Sequence, residues 1–127
     1  MVTRRHLVLG AAVLAWTGAA HAAARPFTAA DFAAAQAADK PILIDVTASW
    51  CPTCRAQKPI LAALLGEARF AEFVLFEVDY DRQKDVVRRF AVRMQSTLIV
   101  LRGQDELGRS IGDTNRASIV SLLEMAL

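Results

Sequence analysis

The segment Trp50-Cys51-Pro52-Thr53-Cys54 constrains the fold of this chain most, because it contains both cysteines and separates two kinds of hydrophobic periodicity. Before it, Ile42-Leu43-Ile44-Asp45-Val46-Thr47 is an almost unbroken β-branched and aliphatic run, the pattern of a strand covered on both faces in a parallel or mixed sheet. After it, Ile60, Leu61, Leu64 and Leu65 recur at helical spacing, and Gly66 supplies a stop. A Cys-x-x-Cys pair where a strand hands over to a helix puts the first sulfur at the helix N-terminus, where the dipole favours a thiolate. The second sulfur lies one turn on, within reach of a disulfide. This spacing reads as a thiol/disulfide redox centre. Pro59, inside the helical stretch, is expected to bend it, since it lacks a backbone donor and its ring crowds the preceding turn.

The other elements follow from the same kinds of signal. A first helix is expected over residues 27–39, with Thr28 as N-cap, Asp31 at the capping-box position and Phe32 on the apolar face. Pro41 ends it. Residues 73–79 read as a second buried strand, and Asp81 as the cap of a helix over residues 83–90 whose apolar positions include Val86, Val87 and Phe90. Residues 97–101 are a third strand. The turn formers of residues 103–108 then lead into a short edge strand over 109–111. A last helix starts near Thr114 or Asn115 and packs through Ile119, Leu122, Leu123 and Met125. This order calls for an α/β fold: a central mixed sheet flanked by helices on both faces, its parallel strands joined by right-handed crossovers.

Residues 1–24 carry a different signal. Met1 to His6 is basic, residues 7–20 are apolar, and Ala20-His21-Ala22 and Ala22-Ala23-Ala24 both satisfy a small-x-small cleavage rule. This is the outline of an export signal, removed to leave a chain beginning at Ala23 or Arg25. As an uncleaved anchor the apolar stretch is too short, about 14 residues against the ~20 that span a bilayer. Arg4-Arg5 also matches the paired arginine of a twin-arginine signal. Export would place residues 25–127, a single domain, in an oxidising compartment, most simply a bacterial periplasm. Arg4 and Arg5 account for the whole formal charge of +2, so the remaining chain is neutral. Neutrality gives no electrostatic reason to expect nucleic acid or an anionic membrane as partner.

From Thr28 onward the chain resembles the thioredoxin family, through Ala48-Ser49-Trp50-Cys51-Pro52-Thr53-Cys54-Arg55, Pro59 in the following helix and Gly112 before the last helix. The resemblance implies a thioredoxin-like fold, catalytic Cys51 and Cys54 forming a redox-active disulfide, and a buried acid, Asp45, that relays the proton of Cys54. Trp50, Pro52, Thr53, Gln95 and Ser96 would contact substrate. Where the family often pairs the buried acid with a lysine on the next strand, Leu75 is expected here. Met94-Gln95-Ser96-Thr97 aligns with the loop that carries a cis-proline in the family, and Ser96 stands in the proline position. A cis bond before serine costs ~3 to 4 kcal/mol, so the Gln95–Ser96 bond is expected to be trans. The Ser96 hydroxyl either approaches Cys51 or is satisfied locally.

The function implied is disulfide exchange. Cys51 opens a substrate disulfide, Cys54 resolves the mixed disulfide, and the reverse sequence oxidises a dithiol. The expected partners are disulfide-bearing or dithiol proteins and a membrane thiol-redox protein that recharges the pair. No cofactor is called for, and a monomer is expected. The Pro52-Thr53 dipeptide differs from the Gly-Pro typical of thioredoxins, which leaves reductase, oxidase and isomerase readings open, with reductase preferred. Copper(I) or zinc binding through the same sulfurs, with Met94 as a third soft ligand, is a further alternative. A purely structural disulfide is the last, although so short a loop gives little chain-entropy stabilisation.

Overall fold

The computed structural model describes residues 23–127, so the export signal and its cleavage sites fall largely outside the described residues. In chain order the elements are β1 (Arg25–Pro26), α1 (Ala29–Ala37), β2 (Pro41–Thr47), α2 (Pro52–Leu65), β3 (Val74–Asp79), α3 (Lys84–Arg89), β4 (Thr97–Arg102), β5 (Asp105–Ile111) and α4 (Arg116–Glu124). A turn of 3₁₀ helix, Ala68–Phe70, follows α2. The strands form one sheet in the order β1-β3-β2-β4-β5, parallel across β1, β3 and β2 and antiparallel from β2 through β4 to β5. No helix among the described residues is long and apolar enough to cross a membrane.

β2 is central and buried from Pro41 to Val46, as its lack of polar alternation requires. Alternate side chains divide the core. Ile42, Ile44 and Val46 point with Phe76 and Val78 toward Phe27 and Phe32 near α1 and toward Val86 and Val87 of α3. Leu43 points with Leu75, Leu98 and Val100 to the opposite face, against Leu61 and Leu64 of α2 and Ile119 and Leu123 of α4. Parity along the strand therefore turns Asp45 toward the α2 side.

Local chemistry sets the helix ends. Thr28 caps α1 by accepting from the Asp31 backbone N–H at 3.1 Å, and Asn115 caps α4 by accepting from Ser118 at 3.1 Å. Several boundaries differ from expectation. β1, only two residues long, is too short for periodicity to reveal. Asp81 does not cap α3; Gln83 occupies that position, and Asp79 instead accepts from the Asp81 and Arg82 backbones at 2.9 and 3.0 Å. The turn after β4 is tighter than the run of turn formers implied, since Gly103 alone supplies a positive φ of 56° and β5 already begins at Asp105. Between Glu106 and Gly108 the pairing slips, leaving a bulge at Leu107. Met125 is 54% exposed rather than a core residue of α4.

Candidate active site

β2 ends at Thr47, and a short turn, in which the Cys51 N–H donates to the Ala48 carbonyl, leads to Cys51, the N-cap of α2. Its Sγ accepts a hydrogen bond from the Cys54 backbone N–H at 3.1 Å. Pro52 stands at the first helical position, where its missing N–H costs nothing. Cys51 and Cys54 are joined as a disulfide with their Cα atoms 5.3 Å apart. Cys51 retains 2% of its surface and Cys54 1%, so both members of the pair are almost fully covered in the disulfide form. Ala48 and Tyr80 pack against the pair.

Trp50, by contrast, is 54% exposed and therefore not a core tryptophan. Its indole Nε1 donates to the Asp81 carboxylate at 2.7 Å, which orients the ring at the surface beside the cysteines. Pro52 is exposed and Thr53 half-buried on the same rim. Opposite lies the loop from Met94 to Ser96. The Gln95–Ser96 peptide is trans, as expected, and Ser96 has a φ of 63°, a left-handed conformation that a residue with a Cβ adopts only when its surroundings impose it. The Ser96 backbone N–H donates to the Val46 carbonyl at 2.7 Å, and its carbonyl accepts from the Gly112 N–H at 2.9 Å. The Ser96 hydroxyl donates to the Gln95 carbonyl, so its proton is used locally rather than on the Cys51 sulfur. Gln95 is half-buried beside it, and Met94 is 50% exposed.

Asp45 retains 2% exposure, and its Oδ1 has no hydrogen-bond partner. Its neighbour across the parallel ladder is Glu77, not Leu75, which pairs with Leu43 two positions earlier. The strand therefore offers an acid where a lysine was sought. The nearby cation comes from the helix instead: Lys58 of α2 donates to Glu77 Oε1 at 3.0 Å. Burial, the largest effect, raises the Asp45 pKa from 3.8 to about 6; Lys58 lowers it and Glu77 raises it. A cavity of about 340 Å³ lies over this group, lined by Asp45, Lys58, Leu61, Leu65, Leu75 and Glu77. It has room for solvent, which gives the buried carboxyl a route for its proton.

The structure thus gathers Trp50, Cys51, Pro52, Thr53 and Cys54 at the start of α2, Gln95 and Ser96 on the facing loop, and Asp45 on β2 beneath the helix. Sequence reasoning missed Lys58, Glu77, Tyr80 and Asp81. For Glu77 a signal existed, because pairing the ends of the two strands, Thr47 with Asp79, brings Glu77 opposite Asp45. Asp81 and Tyr80 carried no signal beyond turn chemistry.

A thioredoxin family model matches residues 23–125. The chain belongs to the thioredoxin family. It is 33% identical over 91 residues to a thioredoxin H-type of Brassica campestris, a match that covers 72% of each chain. Against thioredoxin H2-1 of rice, Oryza sativa subsp. japonica, it is 34% identical over 73 residues, 58% of this chain and only about half, 51%, of that protein. The crystal structure of Trxlp from Edwardsiella tarda EIB202 superimposes with a TM-score of 0.77 at 38% identity, covering 80% of this chain and 98% of that one. The mixed five-stranded sheet, with helices on both faces, is the thioredoxin fold, and Cys51 and Cys54 are a thioredoxin-type thiol/disulfide pair.

Proposed function

We propose that this chain is an exported thiol:disulfide oxidoreductase that reduces protein disulfides in a periplasm. The observation that carries the redox reading is the position of Cys51 as the N-cap of α2, its sulfur already accepting the Cys54 N–H. A thiolate there gains that bond and the field of a 14-residue helix, both of which favour the ionised form. In the reduced protein the Cys51 thiolate attacks one sulfur of a substrate disulfide, forming a mixed disulfide and releasing the other substrate sulfur as a thiolate. Cys54 then gives up its proton toward Asp45, attacks the Cys51 sulfur, and expels the second substrate thiolate. Substrate gains two electrons and, with solvent, two protons; the chain is left as the Cys51–Cys54 disulfide. A membrane dithiol returns the electrons.

A carboxyl with a pKa of about 6 suits the resolving step, since its two protonation forms are both accessible near neutral pH. The export reading is supported by the basic, apolar and small-residue order of residues 1–24. The test is insulin reduction by the dithiol form. Cys51→Ser abolishes turnover, whereas Cys54→Ser accumulates a mixed disulfide detectable by mass. Full turnover by Cys51→Ser would overturn the mechanism. The direction of flow is decided by equilibrating the pair with glutathione: a potential below that of glutathione marks a reductase, and one well above it an oxidase.

A further inference from the structure

The 94–96 loop lacks a proline, yet the Ser96 backbone is fixed by hydrogen bonds to Val46, Gly112 and Gln57, and the last of these comes from a side chain. Gln57 lies on α2 one turn beyond Cys54 and is completely buried. Its Nε2 donates to the Ser96 carbonyl at 3.3 Å and to the Asp113 carbonyl at 2.9 Å. The Ser96 carbonyl also receives the Gly112 N–H at 2.9 Å. A single amide therefore ties the helix that bears the cysteines to the 94–96 loop and to the 112–113 turn. On the same helix face, Leu61 and Leu64 follow, so packing alone would be as well served by methionine or leucine. Gln57 Oε1 has no partner, a desolvation cost that an apolar residue would not carry. What the glutamine supplies that an apolar residue cannot is its pair of donors.

We infer that Gln57 is a positioning residue for substrate docking: its buried amide holds the 94–96 loop and the Gly112-Asp113 turn in register with Cys51. The inference rests on the disulfide-exchange reading. Ser96 sits at a φ of 63°, a left-handed backbone that a residue with a Cβ rarely adopts. Such a loop relaxes unless neighbours define it, and Gln57 reaches it from the element that also carries both sulfurs. A preset loop spares an extended substrate segment the entropy of ordering it, so the contribution falls on binding rather than on sulfur chemistry.

The variant Gln57→Met keeps the length and shape of the side chain and removes both donors. The expected result is a fall of about tenfold in the ratio of kcat/KM for insulin to kcat/KM for bis(2-hydroxyethyl) disulfide, carried by KM for insulin, from the loss of two hydrogen bonds. An unchanged ratio, including an equal fall for both substrates, overturns the inference. Should that variant fail to fold, the unmodified protein decides: the Gln57 side-chain amide protons exchange with solvent far more slowly than those of a free glutamine amide, and equally fast exchange overturns the inference. An unmodified dithiol protein that reduces neither substrate would refute the disulfide-exchange reading instead.

Discussion

Asp45 holds its proton to about pH 6 because the sheet and α2 take its carboxyl out of water and leave one oxygen without a donor. The consequence for stability has a definite sign. Between its unfolded value of 3.8 and its folded value of about 6 the native chain keeps a proton that the unfolded chain releases, so stability falls as pH rises through that window. Above it the deficit is constant, about 3 kcal/mol by linkage. Asp45→Asn, neutral at every pH, is therefore expected to be more stable than the unmodified chain by up to about 3 kcal/mol near neutral pH, the gain vanishing below about pH 4. Urea unfolding on both sides of the window checks this, and a variant no more stable at neutral pH would contradict the burial argument. The neighbours act with opposite signs. Lys58→Met removes the cation and raises the Asp45 pKa, while Glu77→Gln removes the acid and lowers it, as a carboxyl-carbon NMR titration would read.

At the scale of elements, helix α2 and the strands on either side of it matter most. Its start is defined by a sulfur cap and by Pro52, its far end by Gly66 in an ordinary right-handed conformation, and Pro59 lies within it. That start was legible because strand-type and helix-type periodicity meet at the cysteines. The role of Asp81 was not legible: it reads as a helix cap because Asp79 and Asp81 are equally good turn residues, and only the tertiary position of Trp50 assigns Asp81 to the indole. Helix α1 is expected to be sensitive at Thr28. Its hydroxyl meets one of the free N–H groups of the first turn, and Thr28→Ala should cost about 1 kcal/mol in chemical denaturation. No loss beyond a few tenths would mean that packing of Phe32 alone holds the helix.

For the whole molecule, two cores share one sheet. Ile44 and Leu43 are neighbours in β2 that serve opposite faces, so damage on one side is transmitted through the same strand to the other. Ile44→Ala is expected to cost about 2 to 5 kcal/mol, in a single transition. Trp50 fluorescence and far-UV circular dichroism should report it at the same denaturant concentration; separated midpoints would show that the two faces unfold independently.

The amino-acid sequence by itself determined the order of the main elements, the buried central strand, the Cys51–Cys54 pair at the head of α2 and the trans bond before Ser96. These depend on neighbours a few residues apart, where periodicity and backbone chemistry act directly. Only the tertiary structure decided that Glu77 rather than Leu75 lies opposite Asp45, that Lys58 comes to that pair from the helix, and that Gln57 ties three distant segments beside the sulfurs. Such assignments depend on strand register and on which helix face meets the sheet, and both are set by filling the two cores together.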